Sequence, residues 1–100
     1  MNIEMKNFGE MLSNYPSGTE DFLKANAFLL NDINETEILC FDFKDVKLVT
    51  VGWAEAFFYG IQTNYKNKVI FKNVDNNPVV KDVLYFLSQD SRFPIFESLK

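Results

Sequence analysis

The chain has 100 residues, fourteen acids against ten bases for a net charge of −4, 47% hydrophobic residues and 16% aromatics, among them eleven Phe. This suits one folded domain with one core, and it rules out two domains or a disordered chain. With no His and one Cys, the chain cannot build an imidazole base, a His-anchored metal site, a Cys-His or Ser-His nucleophile, a thiolate zinc cluster or an internal disulfide; a single Arg at net negative charge argues against a nucleic-acid surface.

In chain order, Ile3 and Met5 suggest a short first strand, and Phe8, Met11 and Leu12, three and four apart, suggest a brief helical turn. Tyr15-Pro16-Ser17-Gly18 breaks it. Ser17 with Glu20 fits a capping box for a helix over about 18–32, whose apolar stripe runs through Phe22, Ala25, Leu29 and Ile33. Asn31 to Glu35 is a polar exit loop, and Asn34-Glu35-Thr36 reads as a chance match to a glycosylation acceptor. Glu37 to Phe43 is nearly continuous in apolar residues, the pattern of a central strand covered on both faces. Lys44-Asp45 turns the chain into a short β-like run, Val46 to Val49. A helix over about 52–65 follows, apolar beyond one stripe because Trp53 and Tyr59 stand outside the Ala54, Phe57, Phe58, Ile61, Tyr65 face. Val69-Ile70-Phe71 is a further strand, and Asn77-Pro78 opens a last helix to about Asp90. Strand and helix alternating at these spacings predict an α/β domain, a small mixed sheet of about four strands with helices packed on it. Residues 91–100, with Phe93, Pro94, Ile95, Phe96 and Leu99, are too apolar for a free tail and either fold back or dock on a partner.

The first six residues lack a charged start followed by an apolar run, and the stretch Val51 to Ile61 is about half a membrane span, so the expectation is a soluble, cytoplasmic chain with no membrane contact. Residues 1–50 carry nine acids and four bases, residues 51–100 five acids and six bases. The first half is therefore the side to face a basic partner, or simply a solvated surface.

Candidate sites have competing explanations. Asp42, Asp45 and Glu55 would make a Mg²⁺ or Ca²⁺ site if they converged, yet each also has an ordinary structural role, at a strand end, in a turn and at a helix N-terminus respectively. Cys40 reads as a small buried hydrophobe, since no base activates it. Trp53 and Tyr59, with Phe57 or Phe58, are read either as an exposed aromatic patch for a partner or as a cover over a sheet edge or the tail. Tyr and Phe among Lys66, Lys68 and Lys72 would stack single-stranded nucleic acid, which the net charge opposes. Phe41, Phe43, Phe57, Phe71 and Phe86 can be absorbed by one core, leaving Trp53, Tyr59, Phe93 and Phe96 as the aromatic surplus where binding would be written.

From Ile38 to Phe57 the chain resembles the STAS superfamily, which includes bacterial anti-sigma-factor antagonists: a buried strand ending in Asp42, a turn, a short apolar run, and a step into a helix. It looks closer to a STAS-like family of small bacterial domains of unknown function, which replace the Asp-Ser-Ser-Gly-type step by a hydroxyl or small residue, an aromatic and Ala-Asp/Glu-Glu, here Thr50-Val51-Gly52-Trp53-Ala54-Glu55. The resemblance covers residues 36–88 of a single domain, 1–100. It implies a non-enzymatic interaction module without cofactor, in bacterial or phage-borne regulation, that binds a histidine-kinase-type ATPase or anti-sigma-like protein through Thr50, Val51, Gly52, Trp53, Glu55, Phe57 and Tyr59. The phosphorylated Ser of the superfamily falls on Gly52, so the usual switch is absent; Thr50 is the nearest hydroxyl, read as a helix cap, where a phosphate is physically allowed. The alternative is a homodimeric acidic inhibitor or immunity-type protein. A small-ligand or metal enzyme is disfavoured by the missing His and phosphate loop.

Overall fold

Three parallel strands and the helices joining them form the body of the protein in the computed structural model, which describes residues 1–99. β1 (Asn2–Glu4), β3 (Leu39–Asp42) and β5 (Val69–Lys72) lie in the order β1-β3-β5. Their register sets Ile3 beside Phe41 and Phe41 beside Phe71. β2 (Met11–Leu12) and β4 (Leu48–Val49) form a separate parallel pair, Leu12 beside Val49. The helices are α1 (Tyr15–Phe28), α2 (Val51–Asn64) and α3 (Pro78–Ser88), with 3₁₀ segments at Met5–Phe8 and Pro94–Leu99. No helix among the described residues is long and apolar enough to cross a membrane.

The α/β class is as the sequence reads, but among the described residues the strands are five, in two sheets whose pairs are all parallel. Met11–Leu12, read as part of a helical turn, is the fifth strand; two residues are too few to show a period, and Thr50 N–H donates to Leu12 O at 2.9 Å to hold the pair in place. α1 begins three residues early. Asn14, in the left-handed region at φ 66°, caps it by accepting from Ser17 N–H at 2.8 Å, and Pro16, read as a break, sits in the first turn where no N–H is required. It ends at Phe28, before Ile33 can join its stripe.

Helix α2 is the centre of the core. Its Phe57 and Phe58 meet Phe41 edge-on at 6.2 and 5.1 Å, and Phe58 meets Phe71 at 5.6 Å. α1 lies against α2 so closely that only glycine fits at two points. A Cβ at Gly18 would stand 2.4 Å from Trp53 O, and one at Gly60 would enter the Phe22 ring at 2.5 Å. The last segment folds back. Phe96 is fully buried between Phe58 (5.2 Å) and Phe71 (5.5 Å), Phe93 is buried beside it, and Gln62 clasps the segment by donating to Arg92 O at 2.6 Å and accepting from Ile95 N–H at 3.3 Å. Phe86, expected among the rings the core absorbs, is instead 65% exposed on α3.

β3 is covered on one face only. In a sheet whose strand order never reverses, right-handed crossovers put every connecting helix on the same side. By the pleat, Ile3, Leu39, Phe41 and Phe43 lie on the α2 side, while Asn2, Glu4, Cys40, Asp42, Ile70 and Lys72 lie on the opposite face, where Cys40 at the middle of the central strand is still buried and the outer positions Asn2, Glu4 and Lys72 are exposed. The central strand is buried at Leu39, Cys40 and Phe41 as its apolar run suggests, but the expected second cover is missing, because strand order is not written in local sequence.

Candidate functional site

The step from β4 into α2 is built around Thr50. Its backbone is extended (φ −98°, ψ 158°) and its Oγ1 accepts from Trp53 N–H at 3.3 Å, which caps α2. The same oxygen accepts from Asn14 N–H at 3.2 Å. One hydroxyl thus ties the starts of α1 and α2 side by side, and the Cβ of Tyr15 lies within 3.8 Å of where a Gly52 Cβ would stand.

The seven sequence-predicted residues divide between surface and core. Thr50, Val51, Gly52 and Glu55 are half-buried at the end of the molecule, and Tyr59 is 53% exposed one face further along α2. Trp53 and Phe57 are fully buried. Trp53 stacks on Phe57 at 4.7 Å with planes 11° apart, and its Nε1 donates to Asp21 Oδ2 at 3.0 Å. An exposed patch of Trp53, Phe57 and Tyr59 therefore does not form; the indole is a core residue because α1 closes over it and supplies a carboxylate for its only polar atom. Phe93 and Phe96 likewise leave the surface, and Tyr59 meets Phe93 edge-on at 6.3 Å. Sequence reasoning missed Tyr15, 56% exposed beside Gly52, and Met11, 65% exposed on β2. No local pattern reveals them, since the helix starts are brought together by tertiary contacts: the β2–β4 pair, the approach of Gly18 to Trp53 and the hydrogen bond from Asn14 N–H to Thr50 Oγ1.

The carboxylates do not gather. Asp42 accepts from Lys44 N–H at 3.0 Å and from Asn73 Nδ2 at 2.7 Å, and the Asn73 bond, followed by the backbone bond and the nearby lysines, holds its carboxyl below the usual range despite some desolvation. Asp45 turns the chain at φ 65° and lies 3.9 Å from Lys6. Glu55 points away to Arg92 at 3.6 Å. Among the described residues no three acidic, Cys or His side chains are placed to hold a metal ion. Cys40 is buried, and desolvation raises its thiol pKa, so it stays protonated and inert.

A hollow of about 620 Å³ lies beyond the carboxyl ends of β1 and β3, lined by Lys6, Lys44, Lys47, Glu10, Asp45 and Asn76 among others. Its charges are largely spent on each other, Lys47 on Glu10 at 3.2 Å and Lys6 on Asp45. Asn77 closes its far side, accepting from Val79 and Val80 N–H to cap α3 and donating to Val46 O at 2.8 Å.

Comparison of the chain with protein-family models, with curated proteins and with solved structures returned no match.

Proposed function

We propose that the chain is a non-enzymatic protein-binding module, STAS-like in kind, that acts in bacterial or phage-borne regulation by occupying a histidine-kinase-type ATPase or anti-sigma-like partner. The observation that carries the reading is the joined start of α1 and α2. Tyr15, Val51 and Gly52 form a surface there whose backbone is fixed by the two hydrogen bonds to Thr50 Oγ1. A rigid platform with an exposed Tyr suits protein recognition, because little entropy is lost on binding. Gly52 adds to this. A Cβ there meets only ordinary contacts at 3.5 Å or more, so packing does not demand glycine. The bare backbone at this helix start instead leaves room for a partner to approach. With glycine in the place of the superfamily's phosphorylated Ser, binding is read as constitutive occupancy.

The test measures binding of purified ATPases and anti-sigma-like proteins of the host by calorimetry. Gly52→Arg and Tyr15→Ala are expected to weaken the complex by about tenfold or more with little change in melting temperature. Binding that survives both variants rejects this surface. Trp53→Ala is unsuited to the purpose, because it removes a fully buried side chain.

A further inference from the structure

An all-parallel sheet is nearly always covered on both faces, and this one is covered on one. The uncovered face is organised by register. One row runs Glu4, Asp42, Lys72 across β1, β3 and β5, and the next runs Asn2, Cys40, Ile70. Ile38, 43% exposed and on the same side as Cys40, extends the apolar centre. Acid stands on the β1 edge and base on the β5 edge, where Lys68 and Lys72 are exposed. Among the described residues, Glu4, Lys68 and Lys72 have no ion-pair partner in their own chain.

We infer that the open sheet face binds a second copy of this chain, face to face about a twofold axis running along β3, with Glu4 of each copy opposite Lys72 of the other. A twofold along the strands exchanges the two edges and so lays the acidic edge of one sheet on the basic edge of its mate; a twofold across the strands would lay like on like. The face is thus complementary to itself in charge. Stacked sheets stand about 10 Å apart, which lets Ile38 and Ile70, on either side of the already buried Cys40, fill the centre with medium apolar side chains. Asp42 lies on the axis opposite its own copy, but Asn73 and Lys44 N–H already hold its carboxylate, and Lys72 neighbours it from both chains. Three short strands make a small contact, so the dimer belongs to the weak, concentration-dependent class. This surface is separate from the α1–α2 platform, and its failure leaves the proposed function standing.

Sedimentation velocity at low salt over a wide concentration range tests it. Wild type is expected to show a reversible dimer that salt weakens. Glu4→Lys and Lys72→Glu, both on exposed side chains, should each weaken self-association by about tenfold or more. An equimolar mixture of the two variants should regain a dimer at least as tight as wild type, because both edges of one face are now basic and both edges of the other acidic. Circular dichroism and melting curves confirm that both variants fold. Three results overturn the inference: a wild type that stays monomeric to about 1 mM, a dimer indifferent to both substitutions, or variants that weaken it and do not recover on mixing.

Discussion

Trp53 joins an apolar and a polar contact in one buried side chain. It is fully buried, stacked on Phe57, and its one donor is matched by Asp21. Trp53→Ala should cost about 3–5 kcal/mol, visible as a large fall in the chemical-denaturation midpoint. Asp21→Ala leaves the indole N–H buried without an acceptor and should cost about 1–3 kcal/mol. Thr50→Ala removes an acceptor shared by two backbone N–H groups, so its loss should sit at the upper part of the range for a cap, about 1–2 kcal/mol. Asp42 gives the acid side. Its pKa is lowered in the folded chain, so it adds stability that is present above the ordinary carboxyl range and is lost as pH falls through its lowered value. Asn73→Ala removes the chief cause of that shift. Stability curves of the two proteins should therefore differ near neutral pH and converge once the pH has fallen below the lowered value of Asp42.

At the scale of elements, the contact between α1 and α2 is a glycine contact. Gly18→Ala puts a methyl against the Trp53 carbonyl, and Gly60→Ala puts one into the Phe22 ring. Both substitutions raise helix propensity, by about 1 kcal/mol, and both should still destabilise, by about 1–3 kcal/mol from overpacking; equilibrium unfolding decides the sign. Gly52→Ala, which meets only ordinary contacts, should stabilise instead. These three glycines show where sequence is legible and where it is not. α2, β5 and α3 are readable almost to the residue, because Thr50 and Asn77 are side-chain caps and Phe57, Phe58 and Ile61 repeat with helical spacing. The start of α1 is not, because Tyr15-Pro16-Ser17-Gly18 looks like a turn until Asn14, one residue before it, is seen to be the cap. β2 is invisible because its only support is β4, far along the chain. The candidate site is half legible: the Thr50 step stands where it is expected, but the depth of Trp53 depends on α1, and Tyr15 arrives through a tertiary hydrogen bond.

On the scale of the molecule, the eleven Phe are mostly accounted for by one continuous ring cluster that runs from Trp53 through Phe57, Phe58, Phe41 and Phe71 to Phe96. The last residues belong to this core. Phe96→Ala opens it from the end and should cost about 3–5 kcal/mol. Protease resistance of the whole chain should fall with it, not just that of the terminal segment. The unreversed strand order also governs how the chain must assemble. Each strand pairs with one about thirty to forty residues away, and there is no hairpin among the described residues in which neighbouring segments could meet first. Loop closure must therefore precede every strand contact, so folding should be slow for so small a domain. On the ribosome, the first strand waits as an unpaired edge until Leu39–Asp42 has emerged.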